Sequence, residues 1–260
     1  MIRLVHLLKR QPGLSGEEFD RLWRDRMGPA FAAQQVHLDM LRHVQTCRTA
    51  STASLDAAAR ADRGAMLPPA DGVAESWWPS ETALQAVLTS ADGRRRLAQL
   101  AHALAEIADP ASSPLWLAHE YPQISTSSQR TVAGARTGVV KVHFALRPLA
   151  HLGEAEAQSY WLTQHGPLVR SHAPARGALA YNQVHRTPSP LTAELAAIFG
   201  APEGDFIGHA EAWFDQSAPP TGPEANAAKA AAVEDERNFI DWTQSNFLAG
   251  KERVFIDRDW

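Results

Sequence analysis

Histidine, tyrosine and carboxylate side chains supply the chemistry that spacing in this chain can bring together. In YWLTQHGPLV, residues 160–169, His165 follows Trp161 by four positions and shares its helical face. An imidazole titrating near neutrality suits a general acid or base. A cationic histidine near a helix C-terminus also complements the helix dipole, so a capping role competes with a catalytic one. In AYNQVHRT, residues 180–187, Tyr181, Gln183 and His185 fall on one face of a strand. Tyr181 and His185 are then roughly 13 Å apart, too far to touch but suited to opposite ends of a flat ligand. By the same alternation Lys141 and His143 share a face of VVKVHFAL, and His209, Glu211 and Trp213 share a face of GHAEAWF.

If these polar faces coincide, one sheet surface gathers His143, Tyr181, Gln183, His185, His209 and Glu211. Such a surface forms a buried hydrogen-bonded network, meets water at an open end, or borders a ligand cavity. As a site it assigns His165 to acid/base work, Tyr181 to hydrogen bonding with negative charge developing on oxygen, and His185 or His143 to a second proton transfer. Trp161, Tyr160, Gln183, His209, Glu211 and Trp213 are the expected substrate contacts, with the aromatic rings equally suited to the core.

The remaining chemistry is excluded more than suggested. The 260 residues are 45% hydrophobic and 21% charged with a net charge of −4, which leaves no basic excess for nucleic acid or an anionic membrane surface. A single cysteine, Cys47, allows no intrachain disulfide and disfavours a thiolate zinc site. No P-loop, GxGxxG, HExxH, GxSxG or EF-hand pattern occurs. The histidines form no HxH or HxxxH pair beside a carboxylate, and Pro167 separates His165 from His172, so no metal site is expected. An assembly of His143, His209 and Glu211 from separate strands stays open. MIRLVHLLKRQPG meets charges too early for a signal peptide, and no apolar run nears the roughly 20 residues of a membrane span. A cytoplasmic location is the expectation.

The elements that must position these residues come twice. A shift of 138 places Trp23 on Trp161, Gly28 and Pro29 on Gly166 and Pro167, and Gln45, Arg48 and Thr49 on Gln183, Arg186 and Thr187. A shift of 136 places Glu75 and Trp77 on Glu211 and Trp213, and a shift of 137 pairs His6 with His143. Registers this consistent for rare tryptophans indicate a tandem duplication. Each copy reads as strand, acidic-capped helix ending at Gly-Pro, two strands, a long helix and a last strand. The long helices are expected over residues 83–108, with a break, and 225–248. Residues 49–71 and 187–205 are insertions expected to hold short helices that lid a pocket or shield a sheet edge. The C-terminal RVFIDRDW is expected to close the last strand against the other half. The order βαββαβ is ferredoxin-like. The first unit spans 1–124 and the second 138–260, joined by a small, polar linker over 125–137.

W-x-x-x-H-G-P-L-V after an acidic helix start, within such a unit, resembles the EthD-like branch of the dimeric α/β-barrel superfamily. Only the second half keeps His165; Met27 stands at its place in the first. The resemblance implies an α+β protein in which two ferredoxin-like βαββαβ units pack their antiparallel sheets into a pseudo-symmetric barrel, helices outside. It also implies a ligand cavity between sheet and helices near His165, with a single site in the second half. The implied function is a cofactor-independent lyase, isomerase, cyclase or monooxygenase acting on a small hydrophobic or aromatic molecule. A non-catalytic ligand-binding or accessory protein of an oxidative pathway, and a haem-binding oxidoreductase, are the alternatives. No nucleic-acid or membrane partner is expected, and homo-oligomerisation is left open by the internal pairing.

Overall fold

The computed structural model describes residues 1–258. Its first half runs β1 (Ile2–Leu8), α1 (Gly16–Leu22), α2 (Gly28–Ala32), β2 (Arg42–Cys47), α3 (Ala53–Arg63), β3 (Gly72–Trp78), α4 (Glu81–Thr89), α5 (Ala91–Ala105) and β4 (Leu115–Ser125). The second runs β5 (Val139–Leu146), α6 (Glu154–Tyr160), α7 (Gly166–Arg176), β6 (Ala178–Arg186), α8 (Pro190–Phe199), β7 (Gly208–Asp215), α9 (Pro223–Glu236) and β8 (Asn246–Asp257).

The eight strands close one antiparallel barrel in the order β1-β3-β2-β8-β5-β7-β6-β4. Each half contributes the ferredoxin-like order, β4-β1-β3-β2 and β8-β5-β7-β6, and the halves meet edge to edge. β2 pairs with β8 and β4 with β6, so every strand edge is consumed by the other copy. The two sheets are therefore one continuous surface, not a stacked pair. An outer core fills the space between barrel and helices, with Ile2, Leu4, Phe19, Trp23, Leu84 and Leu100 on one side and Phe144, Trp161 and Phe239 on the other.

Two helix ends depart from the sequence reading. Gly-Pro does not stop the first helix of either half. In both copies a wide π-turn, Trp23–Met27 and Trp161–His165, carries the helix through to α2 and α7. Proline lacks the N–H that a regular helix would use there, and the added residue in the turn absorbs that missing bond. In the second half α9 ends at Glu236, not 248. Asp241 accepts from the Thr243 backbone at 2.9 Å and caps a short turn, and Asn246, Phe247 and Leu248 are already paired in β8. Ser90 makes the expected break, its hydroxyl accepting from Gly93 N at 2.9 Å to start α5.

The inserted helices seal seams. α3 packs on β8, where Asp56 accepts the Ala249 N–H at 2.7 Å and Arg63 pairs with Glu236 at 2.6 Å. α8 packs on α5 and β4. β8 closes the barrel against β2 through Asp257; Asp259 and Trp260 of the C-terminal segment lie outside the described residues.

Candidate functional site

Strand register decides which polar residues meet. Arg3 lies opposite Trp77 and Val5 opposite Glu75 on the β1–β3 ladder; Lys141 lies opposite Trp213 and His143 opposite Glu211 on the β5–β7 ladder. Arg3 and Lys141 are thus the duplicated pair, and the counterpart of His143 is Val5, not His6. His6 faces the outer layer, where its ring packs edge-on to Phe199 and Nε2 contacts the Ser113 carbonyl at 3.0 Å. Likewise Ala118 opposite Arg3 and Gly250 opposite Lys141 make Glu120 and Glu252 counterparts.

Inside the barrel these residues form one charged layer. Arg3 pairs with Glu75 and Glu211 and, at 3.0 Å, with Glu120. Lys141 Nζ lies 2.7 Å from Glu75, 2.5 Å from Glu211 and 3.4 Å from Glu252. The Arg3 guanidinium sits 4.5 Å over Trp77 and the Lys141 ammonium 5.1 Å over Trp213. Burial alone would raise the carboxyls of Glu75 and Glu211, but Arg3 and Lys141 outweigh it and hold both below the usual range. Burial would likewise lower Arg3 and Lys141, yet the carboxylates hold both above their ordinary values. The four central charges are all present at neutral pH. Glu120, at the rim, differs: its side chain keeps 34% of its surface open to the cavity mouth, yet partial burial raises its carboxyl beyond what Arg3 offsets, and Glu211 and Glu75 add to the rise. Below the layer the interior holds Val5, Leu7, Val73, Trp116, Val184 and Leu248, together with the buried rings of His143 and His209.

A cavity of about 560 Å³ opens above the layer. Arg3, Lys141 and Glu211 form its floor, Trp77, Trp213, Glu120 and Asn182 its walls, and linker residues Ser127–Thr131 its outer edge. Among the described residues no histidine lines it, so it offers no proximal imidazole for haem.

The expected site residues do not share one surface. His143, His209, Glu211 and Trp213 point into the barrel. Tyr181, Gln183 and His185 point outward beneath the π-turn, because Asn182 and not Gln183 lies opposite Glu211. There they pack directly on one another. Trp161 Nε1 donates to the Tyr181 hydroxyl at 3.1 Å, Gln183 Nε2 donates to the Trp161 carbonyl at 2.8 Å, and His185 stacks on Trp161 at 4.5 Å. Burial pushes the Tyr181 phenol up to about 12 and the His185 imidazole down to about 4. The first copy repeats the arrangement, with Gln45 Nε2 donating to the Trp23 carbonyl at 2.9 Å. The repeated Trp, Gln and Gly-Pro are one joint: the glutamine caps a carbonyl at the π-turn. Its glycine lets helix and sheet close up, since a Cβ at Gly166 would come within 2.9 Å of Gln183 Nε2.

His165 lies at the end of that turn, mid-helix, which removes the capping role. Its Nδ1 is 2.7 Å from Asp235 Oδ2, while Tyr160 donates to Oδ1 at 2.8 Å. The hydrogen bond with His165 comes first among the causes that hold Asp235 below its ordinary value. Met27 at the matching place is fully buried in the outer core. The polar dyad is therefore a second-half feature. Sequence reading missed Arg3, Glu120 and Glu252; the signal was there, since Arg3 and Lys141 align at the shift of 138 that also aligns the tryptophans.

Two solved structures are similar to this one at low identity. A Fusobacterium nucleatum protein provisionally assigned as a monooxygenase shares 5% identity at a TM-score of 0.49, covering 97% of this chain and 93% of its own. A protein provisionally assigned as a chlorite dismutase shares 13% identity at 0.46, covering 97% and 94%. At these values neither bears on activity. No curated protein matches the chain. The EthD domain profile matches residues 11–107 and 150–243, one segment in each half. With most of its length matched in two copies of that domain, this chain belongs to the EthD family.

Proposed function

We propose that the chain is an enzyme that moves protons on a small, flat, partly aromatic molecule seated at the mouth of the barrel. Glu120 is the acid/base group, and Arg3 stabilises negative charge on the reacting molecule. The observation that carries this reading is a cavity wall bearing a carboxyl raised by burial beside a guanidinium. Trp77 and Trp213 offer apolar walls for a ring, and Asn182, which donates to Glu120 at 3.3 Å, orients the carboxylate. The proposed reaction draws on no nucleotide or flavin.

A second reading places the chemistry at His165. Asp235 fixes Nδ1–H and leaves Nε2 as proton acceptor, the arrangement of an oriented general base. It keeps Tyr160 as a positioning residue and uses the family's His-Gly-Pro directly.

Deuterium exchange from D2O into a panel of hydroxyaromatic and enolisable compounds, followed by NMR, tests both readings. Glu120→Gln is expected to lower the exchange rate by about 10²–10⁴-fold. Loss in His165→Met with retention in Glu120→Gln would overturn the first reading in favour of the second. Retention in both would remove both.

A further inference from the structure

We infer that His143, His209 and Glu75 bind one divalent first-row transition-metal ion inside the barrel. The internal duplication supplies the control. Val5 and Val73 occupy, in the first half, the register positions that His143 and His209 occupy in the second. Valine fills that layer without a polar atom, so the barrel does not need imidazoles there to close.

The two rings are fully buried and stacked at 4.0 Å, 18° from parallel. Neither nitrogen of His143, nor Nδ1 of His209, has a hydrogen-bond partner among the described residues. His209 Nε2 approaches one oxygen each of Glu75 and Glu211, at 3.4 Å. Leaving a buried polar group unpartnered costs about 1–3 kcal/mol. A pair of such rings beside an apolar alternative is a feature that a ligand explains and packing does not.

The ligand is a cation because of what surrounds the rings. One nitrogen from each histidine and an oxygen of Glu75 lie within 4.8 Å of one another. Metal bonds of about 2.0–2.2 Å at tetrahedral angles place donor atoms about 3.3–3.6 Å apart, so the rings and the carboxylate must draw together to close the set. Two imidazole nitrogens and one carboxylate select a borderline ion such as Zn(II), Co(II) or Fe(II) over Mg(II) or Ca(II). Three protein donors leave a coordination position for water or a ligand. Entry is from the mouth, since the cavity floor of Arg3, Lys141 and Glu211 lies directly against Glu75. Arg3 and Lys141 oppose the ion, and their second carboxylate, Glu211, is what holds them when Glu75 turns to the metal.

Titration of the chelator-treated full chain with Co(II), read by its visible absorption and followed by Zn(II) displacement, tests the site. One equivalent is expected in the wild type, with displacement by Zn(II). His143→Val with His209→Val copies the first half, so it is expected to keep the near-ultraviolet circular dichroism and to bind at least 100-fold more weakly. No stoichiometric uptake by the wild type, or equal uptake by the folded double variant, overturns the inference. Should the double variant not fold, imidazole ¹⁵N shifts in the wild type decide: Zn(II) must move both buried rings and leave His6 and His185 unchanged. The inference does not rest on Glu120, and metal uptake is read apart from deuterium exchange, so either can fail alone.

Discussion

Replacing His165 by methionine puts into the second half the side chain that its duplicate already buries, while Tyr160 and Asn238 stay to satisfy Asp235. The expected cost is about 1–2 kcal/mol by urea denaturation, from the carboxylate's lost partner. At the barrel mouth the expected signature is a pH profile. Glu120 contacts Arg3 on β1 and Asn182 on β6 and feels Glu211 on β7, Lys141 on β5 and Glu75 on β3 at longer range; partial burial with the neighbouring carboxylates raises it above its ordinary value. If Glu120 acts as base, the rate rises with pH through a limb centred above 4.5; a limb at or below that value would exclude it. These residues show where sequence reading stops. Alternation along one strand was legible, and it correctly grouped His209 with Glu211 and Tyr181 with His185. Which face those groups share across strands depends on pairing register, and β6 shifts register between Ala178 and Ala180. That is why Tyr181, Gln183 and His185 lie outside the barrel.

Each π-turn depends on a glutamine from the neighbouring strand, and the two copies make the dependence testable twice. Gln45→Leu and Gln183→Leu each remove the side-chain donor to a buried tryptophan carbonyl. Each carbonyl keeps the N–H of Gly28 or Gly166, so each substitution is expected to lower stability by about 0.5–1.5 kcal/mol. Because the sites lie in opposite halves, the double variant should show the sum to within about 0.5 kcal/mol. A shortfall well beyond that would mean the two turns are coupled through the shared sheet. The strand and helix order was readable from periodicity and from duplication. The Gly-Pro stop and the end of α9 were not, since a π-turn and an early strand start are settled by partners far along the chain. One such partner is Gln183, which caps the carbonyl of Trp161; another is Ala145, which pairs with Asn246.

Acid should weaken the whole barrel in two stages. Burial lowers His6 and His185 to about 4 and His43 to about 3, so the unfolded chain binds their protons first as pH falls below 6.5. Stability then declines by up to about 1.4 kcal/mol per pH unit for each histidine, down to its folded value. Glu75 and Glu211 add a second decline below about pH 4.5, where the unfolded carboxylates protonate while Arg3 and Lys141 keep the folded ones charged. Urea midpoints measured from pH 8 to 4 check the slope; a flat profile between 6.5 and 5 would contradict the neutral buried histidines. The linker that crosses the cavity rim has a different consequence. In a barrel assembled from two identical chains, every substitution is made in duplicate, so a histidine pair at the centre would arrive as four rings crowded about one axis. Joining the copies through residues 125–137 lets one half change while the other stays as it was. His143 and His209 facing Val5 and Val73 are what that freedom permits: an off-centre interior in an otherwise twofold frame.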